Sequence, residues 1–204
     1  MFEAHLSAYI AAASVIMATP GPANMLMISR GASSRTEGLM ALAGLLAANL
    51  MLLLAAILGI SSLVLASESA FIALKWMGAA YLFYLGARLL LSGTARHGAR
   101  PASAKRRAAE GFLTGATNPK ALIFYFAFLP QFLAEGTPAQ PQLVGLGLVD
   151  LALAAVIFGA YALTGSSLMP LMRRAGIRTW LDRCAGGVML ACGAMLLRTA
   201  RAAG

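Results

Sequence analysis

The sequence predicts an all-α membrane protein: six transmembrane helices as two inverted three-helix repeats, with spans 1 and 4 broken at proline motifs. Three observations predict it. The 204 residues are 60% hydrophobic, with a mean hydropathy of +0.78. Only 11% are charged, against about 25% in an ordinary soluble domain. Two of the apolar runs carry proline interruptions at corresponding places in the chain. A soluble fold of this length has too little interior for so much apolar side chain, and lipid is the solvent that accommodates it.

Runs able to cross roughly 30 Å of hydrocarbon fall at about 6–29, 39–66, 70–91, 111–133 and 143–172. A sixth, Cys184 to Leu197, is 14 residues long between Arg183 and Arg198. Both arginines can snorkel and Trp180 can anchor at a headgroup boundary, so this segment is expected to span as well. No Lys or Arg precedes the first run, and Glu3 stands ahead of it instead. The first span is therefore expected to be retained rather than cleaved as a leader. Cys184 and Cys192 share one expected helix at a separation of roughly 12 Å, beyond disulfide reach. They are expected to be small apolar fillers.

A net charge of +9 raises the question of nucleic acid. The basic residues sit in short segments between apolar runs and leave no soluble basic domain, so no nucleic-acid partner is expected. Their distribution sets orientation instead. The 1–2 connection has two (Arg30 and Arg35), the 3–4 connection six, and the 5–6 connection four; the opposite side has Lys75, Arg198 and Arg201. The positive-inside rule puts the three basic connections in the cytoplasm of a bacterial-type inner membrane, with both termini extracytoplasmic. Residues 1–91 then form the first repeat, 92–110 a basic cytoplasmic linker, and 111–204 the second repeat. Three spans per half, an odd number, force the halves into opposite orientations.

The breaks are Thr19-Pro20-Gly21-Pro22-Ala23-Asn24 in span 1 and Thr117-Asn118-Pro119-Lys120 in span 4. Proline removes a backbone donor and clashes with the preceding turn, and glycine loosens the chain further. Carbonyls freed at membrane depth must be buried in protein or line a wet cavity. Matched, interrupted helices in two halves point to a transporter's binding site; the plainer reading is two kinks that serve packing. On the functional reading a small zwitterion lies between the breaks, touching Thr19, Pro20, Gly21, Pro22, Asn24, Asn118, Pro119 and Lys120. Half-helix N-termini suit its carboxylate and the freed carbonyls its ammonium. Counted from the expected ends, both breaks lie nearer the cytoplasmic side, whereas strict inversion would mirror them.

Lys120 and Asp150 are the charged groups within spans, away from their ends. Each costs at least about 2.5 kcal/mol at a helix centre and so needs a compensating role. Asp150 reads as a proton-coupling carboxylate, or else as a partner of Lys120 or a snorkelling acid at the outer rim. Lys120 meets a substrate carboxylate or reaches the headgroups. Asn24, Asn49 and Asn118 hydrogen-bond a ligand or cap broken backbone. Tyr81, Tyr84, Tyr125 and Tyr161 read as interfacial or packing residues. His5 and His97 lie near a terminus and in the linker, with no nucleophile elbow, zinc spacing or phosphate loop. Neither an enzyme nor a metal or cofactor site is expected. The rival readings are a passive small-solute channel and a structural or assembly membrane protein.

Thr19-Pro20-Gly21-Pro22-Ala23-Asn24 with Arg30-Gly31, and Asn118-Pro119-Lys120 with Phe128-Leu129-Pro130-Gln131-Phe132, form a pattern that resembles the LysE/RhtB family of amino-acid exporters. Trp76-Met77-Gly78-Ala79-Ala80-Tyr81-Leu82, Gly86 and Asp150 fit it too, so the resemblance spans nearly the whole chain. It implies export of amino acids or related metabolites by proton antiport from six-helix subunits, and leaves room for a homodimer. It does not fix the substrate, since similar members are assigned to lysine, homoserine, threonine, leucine or cysteine.

Overall fold

Proline and glycine divide the chain where the sequence expects. The structure, a computed structural model, describes residues 2–66, 103–134 and 137–172 continuously, with isolated positions between 76 and 87 and between 174 and 194. The continuous helices are α1 (Phe2–Ala18), α2 (Pro22–Ser33), α3 (Arg35–Ala66), α4 (Ala104–Ala116), α5 (Pro119–Ile123) and α6 (Ala139–Met172). A π turn, Phe124–Phe128, and a 3-10 turn, Leu129–Phe132, extend α5. No strand occurs among the described residues. The expected third and sixth spans, most of the linker and the C-terminus lie largely outside them.

α3 and α6 are apolar on every side, as a helix must be when lipid or protein surrounds it completely. Their Arg35–Gly59 and Ala139–Leu171 stretches are long and apolar enough to cross a membrane. Leu58 and Val156 remain about 70% exposed (72% and 70%). α1 and α2 together make a third candidate span, bent by 61°. Ser34 starts α3 as its N-cap, its hydroxyl accepting the Glu37 N–H at 3.1 Å, so the α2–α3 corner needs a single extended residue. Ser103 starts α4 the same way, accepting the Arg106 N–H at 3.4 Å. The helix thus begins at Ala104, within the stretch expected as linker and ahead of the expected start at 111.

Glycines set the closest helix approaches. A Cβ at Gly44 of α3 would run into the Ala108 carbonyl of α4, and one at Gly111 into the Ala41 carbonyl of α3. Gly31 of α2 meets the Ala162 carbonyl of α6 in the same way. Such backbone contact is how helices pack in lipid, where no hydrophobic drive holds them together. Two apolar clusters result. One gathers Tyr9, Phe124, Phe128 and Phe132; the other gathers Met27, Leu45, Phe158 and Ala162. Asn118 and Lys120 of the second break lie where the two clusters meet.

Candidate functional site

The first break frees a set of carbonyls, and four of them find new donors. In an unbroken helix the carbonyl of residue i accepts from the N–H of i+4. Ile16 would need Pro20 and Ala18 would need Pro22, and neither proline has an N–H. Gly21, extended at φ −164° and ψ −178°, no longer serves Met17. Replacement donors come from other parts of the chain. Asn24 Nδ2 donates to Met17 O at 2.8 Å, Tyr161 Oη to Ala18 O at 2.8 Å, and Lys120 Nζ to Ile16 O at 2.9 Å and Thr19 O at 2.8 Å. The Thr19 hydroxyl turns back onto Val15 O at 2.5 Å. The carbonyls expected to await a ligand's ammonium are therefore occupied by the protein's own groups.

The second break looks after itself. Asn118 Oδ1 accepts the Lys120 N–H at 3.1 Å and caps α5. Pro119 opens that helix at its start, where a missing N–H costs nothing. Asn118 thus acts as a helix cap through its oxygen. Its neighbour Lys120 is 6% exposed. A buried amine bound to two carbonyls does not reach the headgroups, so that reading of Lys120 is corrected.

Asp150 is fully buried, at 0% exposure. α6 begins four residues earlier than expected, which sets Asp150 about 17 Å along it. Tyr125 Oη donates to its Oδ2 at 2.6 Å and Tyr9 Oη to its Oδ1 at 3.3 Å. No ion pair joins it to Lys120 among the described residues. Two of its alternative roles, lysine partner and snorkelling acid, are thereby corrected. Tyr125, read from sequence as packing, is a ligand of the carboxylate. It is carried on the π turn, the kind of irregularity that recurs at functional sites. Pro130, just beyond, cannot continue an α-helix, and the Leu129 N–H reaches back to Phe124 O.

Asn49, Asn118, Lys120 and Asp150 face one cavity, walled otherwise by apolar side chains such as Leu45 and Phe158. It encloses about 30 Å³ in which a water can be centred, room for roughly two water molecules. Gly21 borders Lys120 rather than this space. A Cβ at Gly21 would lie 3.4 Å from Nζ and 3.6 Å from Asn24 Oδ1. That Asn24 oxygen is buried with no hydrogen-bond partner among the described residues.

A second polar group was missed from sequence, where Arg30 and Arg107 read only as orienting charges. Both are buried. Arg30 Nη2 meets Glu110 Oε1 at 2.5 Å, and Arg107 Nη1 meets Glu110 Oε2 at 3.1 Å. Arg107 Nε lies 2.9 Å from Glu37 Oε2, a contact of charges rather than an aligned hydrogen bond. This group ties α2 and α3 to α4. Partial burial pushes the Glu110 carboxyl up, but hydrogen bonds from Arg30 and Arg107 outweigh it and hold the group below its usual value. The available signal was that Glu37 and Glu110 are two of only seven acids in the chain, each beside basic residues.

The LysE type translocator profile matches residues 14–200. An uncharacterized membrane protein of Vibrio cholerae is 34% identical over 205 residues, which cover 96% of this chain and 97% of that protein. A leucine efflux protein of Klebsiella pneumoniae is 32% identical over 61% of each chain. A homoserine/homoserine lactone efflux protein of Salmonella typhimurium is 28% identical over 68% of each. No solved structure matches significantly. With its apolar helices and a family match over nearly its whole length, this chain is a membrane protein of the LysE type translocator family.

Proposed function

We propose that the chain is a secondary transporter that exports amino acids or closely related small metabolites across a bacterial inner membrane in exchange for protons. One observation carries the reading. Lys120 and Asp150 face the same small cavity without pairing with each other. Charges kept apart at membrane depth are costly unless a ligand or a proton answers them. A zwitterion brings both signs together. Its carboxylate suits Lys120, with the Asn49 and Asn118 amides beside it, and its ammonium suits the carbonyls of the Thr19–Pro22 break beside Asn24. Asp150, between two hydroxyl donors, takes the coupled proton. The names of the Klebsiella and Salmonella relatives support an amino-acid cargo.

A cavity for two waters is far smaller than a ligand site, so loading requires the elements around it to part. That suits an alternating carrier seen closed. In the same reading the chain has six spans, as repeats 1–91 and 111–204 joined by a cytoplasmic linker at 92–110. Both termini face away from the cytoplasm, and the basic asymmetry of the connections supports this. Labelling a cysteine placed at residue 204 decides the orientation; a cytoplasmic C-terminus would remove the sixth span and the inverted repeat with it. Proteoliposome flux across a panel of amino acids, with and without a pH gradient, decides the function. Gradient-coupled flux supports the carrier. Flux indifferent to the gradient would mean a passive channel, and no flux a structural role.

A further inference from the structure

Among the described residues, Lys120 brings a cationic donor to the first break and bridges two of its carbonyls. Ile16 O has lost its helical donor because Pro20 has none to give, and the Lys120 ammonium fills that vacancy from the opposite break, bridging to Thr19 O as well. A primary ammonium is also the group that an amino acid would bring. Two carbonyl dipoles compensate a buried cation incompletely, and no carboxylate lies within ion-pair distance of Nζ among the described residues. A ligand carboxylate is a better partner than either carbonyl, since a hydrogen bond between two ionised groups is the stronger kind. The lysine's stem is flexible and lines the cavity, and Gly21 puts no side chain against its head.

We infer that Lys120 is a tethered stand-in for the substrate's ammonium: it holds the carbonyls of the first break in the empty carrier and yields them to the ligand's primary amine as it turns to the ligand's carboxylate. This deepens the export reading and rests on it. It also names the cargo class. The ligand carries a primary ammonium with a carboxylate close by, because a quaternary ammonium has no N–H to return to Ile16 and Thr19. An amine without a carboxylate is held weakly, since it brings a second cation against Lys120 and offers it no anion in exchange for the carbonyls.

The test is binding of n-butylamine, L-leucine and L-homoserine to purified protein in detergent. Wild type should bind an amino acid and hold butylamine weakly. In Lys120→Met the resident competitor is gone, so butylamine should tighten by about tenfold while the amino acid weakens by about tenfold. A merely structural lysine would move both affinities the same way, and that result, or an unchanged butylamine affinity, overturns the inference. Should the Met variant not fold, Lys120→Gln keeps a neutral donor for the carbonyls, and the same opposed shifts are expected at about threefold each; parallel shifts there overturn the inference too. If wild type neither binds nor transports either amino acid, the export reading falls as well. Failure of the opposed shifts with wild-type amino-acid binding intact defeats only the stand-in role.

Discussion

The two helix breaks share a residue type and differ in what they demand. The break at Thr19–Pro22 leaves carbonyls that its own neighbourhood cannot fully serve, and it borrows Lys120 and Tyr161 from distant segments. The break at Asn118–Pro119 is capped by its own asparagine and has a lysine to lend. One break is a set of acceptors, the other a source of a donor. Two prolines separated by one glycine free successive carbonyls, whereas the carbonyl that Pro119 leaves, Gly115 O, takes the Asn118 N–H at 3.1 Å within its own segment. Proline content alone does not make a ligand site. What matters is whether the freed carbonyls are met locally.

The largest expected effect comes from closing the first break. The double substitution Pro20→Ala, Pro22→Ala restores N–H groups that can serve Ile16 O and Ala18 O, evicting Lys120 and Tyr161. Proteoliposome export should fall to background, with a smaller loss in the yield of folded protein. Retained flux would sink the proposed site, and equal losses of flux and fold would reduce the break to a packing kink. Next comes Asp150→Asn, which keeps the shape but cannot carry a charge change. Gradient-driven export should disappear from a protein that still inserts, and a wild-type rate with unchanged pH dependence would make Asp150 structural. The tyrosines sharpen this, since one comes from each broken span. Losing the 2.6 Å donor in Tyr125→Phe should cost more flux than losing the 3.3 Å donor in Tyr9→Phe. Each removes a hydrogen bond to a charged group worth about 1.5–3 kcal/mol at most.

The second break should answer differently. Asn118→Ala removes a helix cap, and the expected result is a stability loss of about 1 kcal/mol in thermal unfolding, with flux reduced in proportion to folded protein. A disproportionate loss of flux would mean that Asn118 also touches the cargo, and the contrast between the breaks would weaken.

Much of this was legible in the sequence because its chemistry is local. A missing proline N–H and an Asn before Pro119 each act within four residues. Asp150 was legible as a costly charge, but its enclosure was not, because the hydroxyls that meet it come from other elements. Its partner Tyr9 lies 141 residues away, and no spacing rule connects them. Lys120 was legible as a charge at a helix break with its target left between carboxylate and headgroup, and the carbonyls it meets belong to another helix. Arg30 and Arg107 were misjudged for a related reason. A basic residue that orients a membrane helix and one that pairs across helices look alike until the acids opposite are located.

That last group offers the smallest effect and a check on how the breaks are held together. Glu110 takes hydrogen bonds from Arg30, which follows the first break on α2, and from Arg107 on α4, which precedes the second. If these contacts fix one half-helix against the other, their loss should loosen both breaks together. The sign of the pH response follows from the direction of the shift. Glu110 is held below its usual value of 4.5, so its stabilisation is present above pH 4.5 and is lost as the pH falls through the lower, folded-state value. The carboxylate is about a third exposed (31%), and solvent screening keeps the contribution under about 1 kcal/mol. Wild type and Glu110→Gln should therefore differ slightly in unfolding temperature at pH 7. That difference should shrink below pH 4.5, although other carboxyls titrate in both proteins. A difference that stays constant from pH 7 to pH 3 would mean that the glutamine disturbs packing rather than charge. The tie between the two breaks would then rest on the glycine contacts at Gly44 and Gly111, where backbone meets backbone and pH has no purchase.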